Sequence, residues 1–275
     1  MVRILSRTMY YILFIGMAII VFVPILLIFF GSFKNNMELG ATSPFSLPSN
    51  FLNLENYKVA INKGHLLRGL QNSFLLVGIS IIGNALLGTM TAYVLNRFQF
   101  TGKKIIVALF LFAMIIPTYT TEIARFQLIH KIGIYDTIWA PIIIYVGTDI
   151  LQIYIYMQFL EKISEQLDES AMLDGASYFR IYFSIIFPLL LPATATLGIL
   201  KGVTIMNDIF VQQLYMPSQK LLTIATSLTS YVGDHSSDLA SLCAAIMVAL
   251  LPSALIYLIF HKLIFRGMMD GAIKG

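Results

Sequence analysis

Five of the fourteen acidic residues, Glu161, Glu165, Asp168, Glu169 and Asp174, fall in one short stretch of a chain otherwise poor in charge. Small residues at Ser170, Ala171 and Ala176 let a second surface approach the backbone there, and the carboxylates offer charge-assisted contacts to it. Other ionisable groups lie inside apolar runs: Asp149, Lys201 and Asp208. A charge at the centre of a membrane costs about 3 kcal/mol or more, so these side chains must face protein or water. Asp149 and Lys201 can therefore form an ion pair that fixes helix packing, or line a polar path. Glu122 and Arg125 stand at i and i+3, the spacing of a local pair. Metal chemistry is not indicated, because His65, His130, His235 and His261 lie far apart and form no His-Glu-x-x-His, and Cys243 is the only cysteine. Nor can the chain cradle a nucleotide: the only Gly-Lys pair that could end a phosphate loop, Gly102-Lys103, has Arg97 where the first glycine belongs.

The elements that position these groups are set by solvent. Hydrophobic residues make up 58% of the 275 and charged residues 12%, against about 25% charged in an ordinary soluble domain. The bilayer is the matching solvent, and a hydrocarbon core of roughly 30 Å takes about 20 apolar residues as helix. Six stretches qualify, at about 10–33, 69–96, 105–127, 137–160, 185–207 and 239–260. The predicted fold is all-α, a single membrane domain over 1–275 with both termini on one side. Lys201 lies roughly 24 Å into the fifth span, with Asp208 about 10 Å beyond it. Ten Lys and Arg fall on the N-terminal side against seven on the other, and the short Arg97–Lys104 connection carries three of the ten. This places the termini in the cytoplasm. Basic residues scattered singly or in pairs make no stripe for nucleic acid. An outer loop at 32–68 and a cytoplasmic segment at 161–188 are the two long connections.

The second of these reads as a short helix, a break, and a second helix entering the membrane. Leu167, Ala171 and Met172 share a face at spacings of four and five, while Asp168 and Glu169 begin another. Gly175 can take the left-handed conformation that ends a helix, and Ser177 can cap the next. By spacing alone this is either a partner-docking element or an amphipathic surface loop.

Glu169, Ser170, Ala171, then Gly175, then Ile185 and Pro188 stand at the positions that mark permeases of binding-protein-dependent ABC importers, and the segment resembles that signature. Ser170 replaces the usual Ala, and Phe187 the usual Leu. The run from Leu173 to Ser177 looks like the carbohydrate-uptake branch, of maltose-permease type. Asn56-Tyr57, Asn72-Ser73, Ala92-Tyr93 with Arg97, and the Gly-rich end from Gly267 to Gly275 fit the same branch. Asn207-Asp208 matches its Trp-Asn-Asp element, with Met206 in place of the Trp.

The resemblance implies a six-helix transport subunit in a bacterial or archaeal inner membrane, not an enzyme. It implies a second related permease, two ATPase subunits that carry ATP and Mg, an extracytoplasmic solute-binding protein, and no cofactor on this chain. Glu169, Ser170, Ala171, Met172, Asp174, Gly175, Ala176 and Pro188 would form the coupling segment, with Glu169 in a charge-assisted contact, Ala171 and Met172 packed, and Gly175 at the turn. Asp149, Lys201, Asn207 and Asp208 would line a path for hydroxylated substrate. Tyr145, Tyr154 and Tyr156 could stack on sugar, although interior or lipid-facing roles suit them as well. Two other classes compete: an ion-coupled secondary transporter using Asp149 and Lys201, and a membrane enzyme using Glu122, His130 and Asp136. The first leaves the acidic, glycine-broken segment unexplained, and the second has no nucleophile motif.

Overall fold

A computed structural model describes residues 2–147, 150–233 and 238–272, with side chains described except at 2–7, 63, 118, 230, 232–233 and 263–272. It is built of helices, with no strand among the described residues. In chain order these are α1 (Val2–Phe33), α2 (Asn36–Ala41), α3 (Glu55–Lys63), α4 (Leu66–Arg97), α5 (Lys103–Ile115), α6 (Glu122–Lys131), α7 (Trp139–Val146) and α8 (Ile150–Leu160). They continue with α9 (Gln166–Leu173), α10 (Tyr178–Ile181), α11 (Phe187–Met206), α12 (Phe210–Tyr215), α13 (Ile224–Gly233) and α14 (Leu239–Ala272).

Among the described residues four helices are long and apolar enough to cross a bilayer, over Thr8–Phe33, Leu66–Arg97, Tyr178–Met206 and Leu239–Lys262, with up to six spans if each of two bent pairs counts as one. The third expected span is not straight: α5 and the helix after it meet at 97°. Pro117 sits at this bend in an extended conformation, and its missing N–H and its ring, which holds Ile116 extended, stop α5. The fourth expected span bends by 47° at Gly147, which leaves helical geometry with ψ 121°. The fifth begins at Tyr178, earlier than the apolar run at 185, because Ser177 caps it well before the apolar stretch starts. Between α10 and α11 the chain widens into a π-helical turn at Tyr182–Ile186. A proline at 188 in a regular helix would meet the carbonyl one turn back, and a widened turn relieves that clash.

By its packing the chain divides into two compact units, one of 1–70 with 223–252, the other of 71–222 with 253–275. In the first, α2 and α3 order the 32–68 loop against the end of α1. Asn56 donates to the carbonyls of Ser32 and Lys34 at 2.8 and 2.7 Å, and Asn53 to that of Phe33 at 3.2 Å. These carbonyls end α1 and have no partner within the helix. The Thr8–Phe33 span buries none of its most apolar window within the chain, leaving that surface to lipid or another subunit. In the second unit Tyr93, Tyr156, Leu160, Ala171, Ile181, Tyr182, Ile186 and Leu190 pack together in one core. The acidic segment is thus bolted to the ends of α4, α8 and α11.

Candidate functional site

The acidic segment folds as α9, a tight turn, and α10. Gly175 adopts φ +79°, a conformation that costs a residue with a Cβ about 1–2 kcal/mol. Around it the last carbonyls of α9 are satisfied: Ala176 N–H donates to Ala171 at 2.9 Å and Gly175 N–H to Met172 at 3.0 Å. This is a Schellman ending, and the Ala171–Ala176 pair supplies its apolar contact. Ser177 Oγ then accepts from Arg180 N–H at 3.4 Å to start α10.

Which face of α9 turns outward differs from the spacing-based reading. Asp168, not Leu167, points into the protein and is buried, together with Ala171 one turn on. Both of its oxygens are taken by α4: Tyr93 Oη donates to Oδ1 at 2.6 Å, and Arg97 Nε to Oδ2 at 3.1 Å. The Arg97 and Asp168 side chains are each 8% exposed. Removing one member of such a pair strands a buried charge, at a cost of about 3–5 kcal/mol. Arg97 also donates to the carbonyl of Ile163 at 2.6 Å and reaches Glu165 at 3.5 Å.

With Asp168 inward, Glu169, Ser170, Met172, Leu173 and Asp174 are exposed. Ala171, expected on the packed docking face, is instead packed against its own chain. Leu173, which spacing did not single out, is 90% exposed beside Met172. Met172 and Leu173 together leave a small apolar patch exposed on the last turn of α9. Ala176 is half-buried, and Pro188 is exposed at the start of α11.

Of the residues assigned to a polar path, three are described: Lys201 in α11, and Asn207 and Asp208 just after it. Asp149, and with it the expected Asp149–Lys201 pair, lies outside the described residues. Lys201 is half-buried in α11. Asn207 is exposed and donates to its own helix at Val203, 2.8 Å away. Asp208 accepts from Tyr145 Oη at 2.9 Å and caps α12 through Val211 N–H at 3.0 Å. Asn84, missed in the sequence, donates to the carbonyls of Tyr145 and Gly147 at 3.2 and 3.3 Å, the groups freed by the 47° bend. Its own oxygen accepts from Gln152 Nε2 at 2.5 Å. Tyr145 and Tyr156 are buried, whereas Tyr154 is 56% exposed.

The three residues of the enzyme reading are each engaged structurally. Glu122 is buried and pairs with Arg125 at 3.0 Å, and its other oxygen accepts from Tyr215 Oη at 2.6 Å. Burial, and then the Glu122 carboxylate, push the Tyr215 phenol above its ordinary value. His130 stacks on Tyr135 with centroids 3.9 Å apart. Asp136 accepts from the backbone and hydroxyl of Ser218.

Comparison with known proteins agrees with this architecture. The family described as the binding-protein-dependent transport system inner membrane component matches residues 84–270. A putative ABC transporter permease protein, ORF2, of Caldicellulosiruptor sp. (strain Rt8B.4) is 30% identical over 271 residues, covering 98% of each chain. The melibiose/raffinose/stachyose import permease protein MelC of Bacillus subtilis (strain 168) is 29% identical, covering 82% of each. The galactooligosaccharides transport system permease protein GanQ of the same strain is also 29% identical, covering 96% of this chain and 94% of its own. Among solved structures, a bacterial ABC transporter involved in the import of the acidic polysaccharide alginate superposes with a TM-score of 0.81 at 20% identity, over 94% of this chain and 96% of that one. With the all-helical spans, the glycine-broken acidic segment and the family match over most of its length, the chain belongs to the binding-protein-dependent transport system inner membrane components, the permease subunits of ABC importers.

Proposed function

We propose that this permease carries a carbohydrate, an oligosaccharide or disaccharide, and takes its driving force through Glu169–Gly175. It would form half of the path, with a second related permease, two ATPases that bind ATP and Mg, and an extracytoplasmic binding protein that delivers the substrate. Relatives that import melibiose, raffinose, stachyose or galactooligosaccharides support the substrate class. The exposed Met172–Leu173 pair beside Glu169, on a helix backed by a buried ion pair, is the observation that carries the coupling role.

In this reading the ATPase surface takes the two apolar side chains, and Glu169 meets a cation on the partner. ATP-driven closure of the ATPases displaces α9, and the membrane helices joined to it tilt from an inward-open to an outward-open path. Both termini and α9 lie in the cytoplasm, and the segment around α2 and α3 faces the binding protein. The ion-coupled alternative rested on Asp149 and Lys201, and membership of an ATP-driven family displaces it.

The test uses the assembled importer in proteoliposomes with melibiose and raffinose as trial substrates. Glu169→Lys and Leu173→Glu should each weaken ATPase binding by roughly 30-fold, as for a central interface anchor, and Gly175→Pro should abolish uptake. Full ATPase binding and uptake in all three would sink the coupling assignment. Uptake of neither sugar, alongside uptake of a non-carbohydrate solute, would sink the substrate class.

A further inference from the structure

Chain connectivity offers α9 two links to the membrane helices. One runs back to α8 through Glu161–Glu165, and the other runs forward through the left-handed turn at Gly175 to α10. Both are loop-like, and a turn held by a few hydrogen bonds transmits rotation poorly. The lateral link is of another kind. Arg97 is the last residue of α4, and Tyr93 lies one helical turn before it. Together they hold both oxygens of Asp168, at 3.1 and 2.6 Å. Two anchor points one turn apart fix the orientation of α9 against α4 as well as its distance.

Resting on the coupling role proposed for α9, we infer that Arg97 and Tyr93 are positioning residues. Through Asp168 they make α9 and the cytoplasmic end of α4 move as one body, so that displacement of the coupling segment is delivered directly to α4. This helix has 32 residues and no proline, a stiff rod of about 48 Å at 1.5 Å per residue. A tilt imposed at Arg97 is carried to its far end. Arg97 is chosen by geometry: a lysine would also complement the helix C-terminus. Only the planar fork reaches Asp168, the Ile163 carbonyl and Glu165 together, at 3.1, 2.6 and 3.5 Å. The pair is buried, so salt screens it little.

The experiment places nitroxides at Val94 on α4 and Gln166 on α9, both exposed, in a Cys243→Ser background within the assembled importer. EPR distances are compared between the nucleotide-free state and the state held by a non-hydrolysable ATP analogue. With Arg97 present, the separation should be the same in both. In Arg97→Met and Arg97→Lys it should shift with nucleotide by on the order of 2–5 Å, the scale of helix displacements in switching proteins. If Arg97→Met does not assemble, Asp168→Asn, which keeps the side-chain shape, provides the same comparison. A nucleotide-dependent separation with the pair intact, or a constant one with it broken, overturns the inference. Failure of the underlying coupling role has a different signature: Leu173→Glu would then leave ATPase binding unchanged.

Discussion

Tyr215 Oη donates to Glu122 Oε1 at 2.6 Å, joining α12 to the first residue of α6 just beyond the 97° bend. Arg125 holds the other carboxylate oxygen at 3.0 Å. Tyr215→Phe leaves a buried carboxylate short of a donor, at a cost of about 1–3 kcal/mol. Glu122→Gln, which keeps an acceptor, should cost less. The phenol's value lies above its ordinary 10.0, first from burial and then from Glu122. A folded-state value above the unfolded one means the stabilisation is whole below pH 10 and falls as pH rises past it. Melting of the detergent-solubilised protein should therefore show a deficit of a few degrees for Tyr215→Phe at pH 8 that narrows above pH 10. A deficit that stayed constant above pH 10 would show that the Tyr215 phenol is not held above its ordinary value.

Asp208 stands where a polar path was expected, yet the structure gives it two local duties. It takes the Tyr145 hydroxyl and caps α12. Asp208→Ala should cost about 1–2 kcal/mol as a lost cap, and Asp208→Ser, which can still cap, should recover most of it. Thermal unfolding measures the first effect, and uptake at saturating substrate tests the second role. If Asp208→Ser unfolds like the parent but transports far less, Asp208 has a role in the path that its capping contacts do not express.

How far the sequence carries depends on the range of the interaction. Gly175, Ser177 and the Glu122–Arg125 pair act within a turn or two, so residue type and spacing specify them. The inward position of Asp168 does not follow from periodicity, which groups Leu167, Ala171 and Met172 on one face and Asp168 with Glu169 on another. It depends on Arg97, 71 positions away, and one buried ion pair outweighs the exposure of a single leucine. Asn84 is similar: it earns its place by satisfying carbonyls more than 60 positions distant, which are free only because α7 and α8 do not join straight. Length and hydropathy locate six apolar stretches but not the bend within the third. A proline says that a helix must break and leaves the angle to the packing beyond it.

The turn after α9 yields a graded series. The conformation of Gly175, φ +79°, has nothing within 4 Å of an added Cβ, so substitutions there meet backbone strain and no clash. Asn tolerates this region better than Ala, and proline cannot enter it. The expected order is Gly, Asn, Ala, Pro, with Ala about 1–2 kcal/mol below Gly. Amide exchange of Ala171–Ala176, whose bonds build this ending, should accelerate in the same order. Equal rates for Asn and Ala would mean that the turn is held by neighbours rather than by its own geometry.

Lys34 closes the 32–68 loop of the first unit. Its side chain is almost wholly buried, and Nζ donates to Thr42 Oγ1 and the Ser43 carbonyl at 3.2 Å each and to Ser46 Oγ at 2.8 Å. An ammonium in such a place needs oxygen partners in place of water, and these come from the segment that follows α2. The lysine therefore ties this segment to the end of α1. Lys34→Met preserves length and most of the volume but leaves the oxygens unpartnered, at about 1–3 kcal/mol. Lys34→Arg keeps the charge, but its planar fork does not fit a site shaped for a point donor. Limited proteolysis of the detergent-solubilised protein should cut the segment at 42–50 slowly in the parent, faster in Lys34→Arg and fastest in Lys34→Met. Parent-like cutting in Lys34→Met would show that Asn53, Asn56 and the Glu38–Ser49 contacts hold the loop without it.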